Sequence, residues 1–322
     1  MYKRTGVLLL CFILILTVLF GCKTNDNNTN ENNKKDSNVE SSSAQEETTE
    51  PAKKLNIVDV NSKSRPYAVM INNNHAAWPH AGLQDAYLTY EIVVEGGITR
   101  MMALFKDKDT TKIGSIRSAR HYFLDYALEN DAIYVHFGQS PQAESDLKKL
   151  GVDNINGLYD STTFWRDTTL KKATEHTVFT SMEKLKAAAQ KKSYNYNTKS
   201  DLLLNYSVDE VDLSQKEGSK IANDITIKYS NYHTTSYTYD EDNKVYKRSM
   251  SGKAHVDAIT GKQYTVKNII VYQVKNYALN DGSGKDRQGL NNVGNGEGYY
   301  ITDGYAVPIT WEKKSRSRSN YL

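Results

Sequence analysis

Two apolar, β-branched runs, residues 87–95 and 98–105, stand on either side of the pair Gly96-Gly97. Adjacent glycines admit positive φ at both central positions of a tight turn, so this spacing predicts a two-residue β-hairpin. Such a turn fixes the register. Glu95 would face Ile98, and Val93 would face Arg100. Strand alternation then puts Glu91, Val93 and Glu95 on one face together with Arg100, which lies diagonal to both glutamates. Tyr90, Ile92 and Val94 take the opposite, core-facing side.

The charges in this stretch suggest chemistry. Glu91 and Glu95 are separated by roughly 13 Å of strand. The paired carboxylates of a glycosidase stand only about 5 to 9.5 Å apart. Glu95 alone, at the strand end beside the turn, is the candidate acid. The competing reading is a surface Glu–Arg–Glu ladder, a common and weak arrangement. Further on, Ala119, Tyr122, Phe123, Tyr126 and Ala127 follow the spacing of an amphipathic helix that Ser115 or Ser118 could cap. Arg117 and Arg120 would then occupy its first turn, where the helix dipole disfavours cations. They call for an anion there, either a protein carboxylate such as Glu95 or a bound carboxylate or phosphate; the third reading is plain surface charge. Asp125 and Glu129, at four-residue steps from His121, read as ordinary helix-surface pairing.

The chain begins with Lys3 and Arg4 ahead of an apolar run, residues 7–20, that closes on Leu19-Phe20-Gly21-Cys22. This is a secretion signal ending in a small residue before cysteine, the bacterial lipobox pattern. Residues 1–21 are expected to be removed, and Cys22 to become the lipidated first residue. That places the protein on the extracytoplasmic face of the cell membrane. The apolar run is short for a retained span. Cys11 leaves with the signal, and the chain has only 2 cysteines, so no disulfide or cysteine metal site is expected. Residues 22–60 are rich in Asn, Ser, Thr, Glu and Lys and read as a disordered tether. The formal net charge is +3 with no long basic tract. Together with export, this argues against a nucleic-acid partner.

Residues 61–200 alternate strand and helix patterns. Strands are predicted at 66–71 and 133–137, and helices at 141–150, opened by Pro141, and 180–191. An aromatic loop at 156–169 carries Trp165-Arg166. From residue 201 the pattern becomes short strands and turns, with a terminal hairpin around Asp303-Gly304. The expected fold is therefore α+β: a mixed α/β domain over 61–200, then a smaller antiparallel β-rich domain over 201–322. The 23 tyrosines supply much of the apolar area. The 7 histidines, His136 among them, show no metal-ligand spacing, and neither metal nor cofactor is expected.

The segments SRPYAVMINN, YEIVVEGGITR, IGSIRSARHYF, DAIYVHFG, FWRD, VKNIIVYQV and GYYITDGYAVPITW together resemble the YerB-like lipoproteins of Gram-positive bacteria, across residues 64–311. That family's pattern holds Glu95-Gly96-Gly97, Thr99-Arg100, Arg117-Ser118-Ala119-Arg120, His136 and Arg166-Asp167, all present here. The resemblance implies an envelope lipoprotein with a two-part domain, and it implies no mechanism. The family pattern continues past Trp311 with a further tyrosine-rich hairpin. Here the sequence reads WEKKSRSRSNYL. The expectation is a shortened second domain whose last strand has an open edge.

Two function classes follow. One is an enzyme cleaving an envelope polymer, a peptidoglycan glycan, with Glu95 as general acid/base. The other is a non-catalytic lipoprotein, held to the membrane by lipidated Cys22, that binds a cell-wall glycan or an envelope protein. In both, Glu91, Arg100, Arg117, Arg120, His136, Trp165 and Arg166 are the expected ligand contacts around Glu95. A desolvated carboxylate in a cleft supports the enzyme, and a closed Glu95–arginine cluster supports the binder.

Overall fold

A computed structural model describes residues 57–317. The expected signal, Cys22 and most of the expected tether lie outside the described residues. The first elements are β1 (Tyr67–Asn72), β2 (Leu88–Val93), β3 (Thr99–Phe105), β4 (Ile113–Gly114), α1 (Phe123–Glu129), β5 (Ile133–His136) and α2 (Pro141–Lys149). There follow β6 (Asn154–Asn156), β7 (Trp165–Arg166), β8 (Val178–Thr180) and α3 (Met182–Lys191). Five strands form a mixed sheet in the order β2-β3-β1-β5-β6. β1 pairs antiparallel with β3 and parallel with β5.

All six residues of β1 are buried, because both faces of the sheet are covered; its sequence is accordingly apolar without alternation. On one face Val69, Ile71, Met101, Ala103 and Phe105 pack under Leu185, Ala188 and Ala189 of α3. On the other, Ala68, Met70, Met102 and Leu104 meet Phe123, Leu124 and Ala127 of α1. α2 starts where predicted: Pro141 is its first residue, and the Ser140 side chain accepts from the Ala143 amide, the usual N-cap bond.

The remaining chain is strand and turn: β9 (Lys220–Ile221), β10 (Asp224–Lys228), β11 (Thr234–Asp240), β12 (Val245–Met250), β13 (Lys253–Ala254), β14 (Thr265–Val266) and β15 (Asn268–Tyr272). β16 (Asn276–Ala278), β17 (Gln288–Leu290), β18 (Gly294–Thr302) and β19 (Tyr305–Lys313) complete it. One sheet runs β10-β11-β12-β13 with β14 also on β12, and another runs β15-β18-β19-β9. Tyr246, Ile269, Ile301 and Ala306 lie between them. The architecture is α+β and rich in strand, and the described residues cluster as one compact unit.

Three expectations need correction. The Gly96-Gly97 connection has three residues rather than two. Glu95–Gly97 forms a 3-10 turn, with the Val94 amide donating to the Ile98 carbonyl and both glycines at positive φ, 69° and 70°. The register becomes Val93↔Thr99, Ile92↔Arg100 and Glu91↔Met101. A slip of one residue exchanges the faces, so Arg100 shares a face with Ile92, while Glu91 lies on the other. Second, α1 begins at Phe123. Residues 117–120 lie outside the helix instead, because the Arg117 amide donates to the Met70 carbonyl and the Ala119 amide to the Gly138 carbonyl; these tertiary bonds replace helical ones. Arg117 and Arg120 are therefore not first-turn residues of a helix. Third, Asp125 and Glu129 are buried. Arg316 Nε lies 2.7 Å from Asp125, and Lys313 Nζ lies 2.5 Å from Glu129. The edge expected to be open on the last strand is covered only at its start: β19 pairs with β18 along its length, and on its other edge with β9 at Tyr305 and Ala306.

Candidate functional site

The altered turn carries Glu95 out of the strand and toward the arginines. Glu95 Oε1 lies 2.5 Å from Arg120 Nε, and Oε2 lies 4.0 Å from Arg100 Nη2. Arg100 is buried at the sheet end, where its Nη1 donates to the Ser118 carbonyl at 2.6 Å. Burial pushes its pKa down to about 9, and the neighbouring Arg120 and Arg117 add to that against the pull of Glu95. Burial alone would raise the Glu95 pKa. The hydrogen bond and charge of Arg120, with Arg100 behind it, reverse that and hold the carboxyl below its ordinary value. Its side chain is 18% exposed.

Arg117 joins this group differently. It is half-buried, and burial lowers its pKa, as Arg120 does, while Glu175 and Glu95 raise it. Among the described residues its guanidinium has no hydrogen-bond or ion-pair partner. Two guanidinium groups, of Arg120 and Arg100, thus face the Glu95 carboxylate, with Arg117 in the same field but outside the pairing. The loop after β6 carries exposed apolar groups. Leu158 and Tyr159 are 54% and 79% exposed, and the Leu158 side chain reaches the Gly138–Ser118 contact. Arg166 extends over the Phe137 ring at 5.1 Å and donates to the Thr174 carbonyl. Trp165 is half-buried against Phe179.

Two expected contacts fall elsewhere. His136 is fully buried, with Nδ1 2.8 Å from the Gly138 carbonyl and Nε2 3.3 Å from Asn154 Oδ1; both ring nitrogens are taken up by the fold. Glu91 points away from Glu95 and into a separate polar centre. Its carboxylate meets Arg248 Nη2 at 2.7 Å, Thr99 Oγ1 at 2.7 Å, His233 Nε2 at 3.1 Å and Thr235 Oγ1 at 3.0 Å. The sequence reading missed this centre. One signal was present, since the tight turn at Ser251-Gly252 sets Arg248 opposite His255 in the β12–β13 hairpin. The partners from distant segments had no local signature.

Residues 55–195 match the N-terminal domain model, and residues 225–322 the C-terminal domain model, of the family described as protein of unknown function (DUF3048). The chain belongs to this family. It is similar to a Bacillus subtilis (strain 168) protein named "Putative lipoprotein YerB", at 28% identity over 97% of this chain and 88% of that one. Its fold is similar to the crystal structure of YerB from Bacillus subtilis, with a TM-score of 0.68 and 29% identity, covering 79% of this chain and 83% of the other.

Proposed function

We propose that the protein is a lipid-anchored, extracytoplasmic binding module for a carboxylate-bearing cell-wall glycan, held to the membrane through Cys22. The lipobox and the relative named as a lipoprotein support the anchor. The carrying observation for the site is the Glu95–arginine cluster with Arg117 left over. A general acid near neutral pH needs a raised pKa. Glu95 has the opposite shift, so it serves as the internal counter-charge that positions Arg100 and Arg120. Arg117 supplies free donors to a ligand carboxylate, and Leu158 and Tyr159 offer apolar surface to a sugar face.

The test is co-sedimentation of the full-length protein with purified peptidoglycan. Arg117→Ala should weaken retention by about tenfold or more, the scale of a charge-assisted hydrogen bond. Its melting temperature should stay near that of the parent, because among the described residues the Arg117 guanidinium has no hydrogen bond or close ion pair to lose. Unchanged retention would remove Arg117 from the site.

A further inference from the structure

Four histidines meet where the two family regions touch: His75 and His80 from the first, His233 and His255 from the second. His80, His233 and His255 are buried. They form two hydrogen-bonded paths. In one, Arg248 Nη1 contacts His255 Nδ1, His255 Nε2 lies 2.7 Å from His80 Nδ1, and His80 Nε2 lies 2.8 Å from the Asn72 carbonyl oxygen. In the other, His75 Nε2 lies 3.3 Å from His233 Nδ1, and His233 Nε2 lies 3.1 Å from Glu91 Oε1.

The first path has only one consistent set of protons. A guanidinium can only donate, and a carbonyl can only accept. His255 Nδ1 therefore accepts from Arg248, and His255 Nε2–H donates to His80 Nδ1. His80 Nε2–H then donates to Asn72. Both imidazoles are neutral and every ring nitrogen is used. An added proton would face the Arg248 N–H on one ring or the His255 N–H on the other. The second path differs, because it ends on a carboxylate that can balance a charge.

We propose that Arg248–His255–His80 is an acid-sensitive clasp, which docks the β12–β13 hairpin on the segment after β1 while both rings are neutral and releases it when either is protonated. The surrounding charges agree. His80 faces Arg248 and Lys172, with Glu91 as the opposing anion; His255 faces Arg248, His80 and His233. Asp257, close by, is engaged by the Tyr264 hydroxyl and the Gly82 amide. Burial first, then Arg248 and Lys172, push His80 down to about 4 against the Asn72 carbonyl and Glu91; His255 is lowered well below its ordinary value by burial, Arg248 and its two histidine neighbours. A freed imidazole takes up its proton near pH 6.5. As the pH falls from about 6.5 toward 4, the opening equilibrium should rise by up to tenfold per pH unit for each ring. This clasp does not rest on the glycan-binding reading.

Hydrogen exchange on the full-length protein between pH 7 and 4.5, corrected for intrinsic rates, tests it. The amides of Arg248, His255 and Ala258, which bond Tyr264, Arg248 and His80, should lose protection about tenfold or more per pH unit relative to β1 and β3. Glutamine can accept and donate along the same path without titrating, so a His80→Gln/His255→Gln double variant should keep its junction protection at pH 5. Flat junction exchange in the parent, or equal acid loss in the double variant, overturns the clasp. If the double variant does not fold at pH 7, imidazole NMR of the parent decides. Neutral Nε2–H rings for His80 and His255 at pH 6 support the clasp. A ring titrating near 6.5 while the junction amides stay protected overturns it.

Discussion

Glu91→Ala should cost about 3 to 5 kcal/mol of folding stability, the scale of breaking a buried ion pair from one side. The Glu91 side chain is 8% exposed, and its partner Arg248 is 7% exposed. The substitution would remove the carboxylate shared by that guanidinium, the Thr99 and Thr235 hydroxyls, the Asn73 amide and His233. These donors come from both family regions, so the loss should appear in urea unfolding as a lower midpoint and as loosening between them. The acid dependence follows from the same contacts. Burial works to raise the Glu91 pKa, but Arg248, then His233 and Thr99, bring it from 4.5 to about 2. A depressed carboxylate stabilises the fold above its unfolded pKa. That contribution, about 3 kcal/mol, should be present above pH 4.5 and be lost as the pH falls toward 2. A Glu91→Ala protein within about 1 kcal/mol of the parent, the ordinary range of a point substitution, would contradict this account of the junction.

Lys313→Met should show the opposite pH dependence. Lys313 and Glu129 are fully buried, and the Tyr90 hydroxyl also donates to Glu129 at 2.8 Å. Burial raises the Glu129 pKa from 4.5 to about 7, against the lowering effects of Lys313 and Tyr90. A carboxyl with a raised folded pKa is most compatible with the fold when protonated. Its contribution is therefore fully present below pH 4.5 and lost as the pH rises through about 7. Removing the ammonium leaves a buried carboxylate without its cation. The destabilisation should reach about 3 to 5 kcal/mol near pH 8 and shrink toward pH 5, where Glu129 can stay neutral. Melting the parent and the variant at both pH values checks this. A pH-independent difference would mean that the Lys313 stem, rather than its charge, carries the effect.

The parts of the fold legible in the sequence are those with strong local periodicity. β1, β5, α2, α3 and the hairpin around Asp303-Gly304 fall close to their predicted spans. Local pattern failed where tertiary bonds compete with it. Ala119 to Ala127 has helical spacing, yet bonds to Met70 and Gly138 hold the Arg117 and Ala119 amides out of the helix, which starts at Phe123. Spacing of i, i+4 looks the same on a buried helix face as on an exposed one, so Asp125 and Glu129 gave no sign of Arg316 and Lys313 nearly 200 residues later. At the proposed site the residue types were legible but the register was not. A three-residue turn in place of a two-residue one joins Glu95 to Arg100 and Arg120 while sending Glu91 to the far face.

The most direct measurement of the central claim compares the full-length parent with Glu95→Gln on purified peptidoglycan, following both retention on the polymer and mass analysis of released fragments. Glutamine keeps an oxygen for Arg120 and removes the internal negative charge. If Glu95 only positions the arginines, the parent releases no glycan fragments, and the folded variant is retained at least as well as the parent, because a competing anion has gone. Fragment release by the parent that falls by about 100-fold or more in Glu95→Gln, the scale of a lost general acid/base, would contradict the binding account and make Glu95 catalytic.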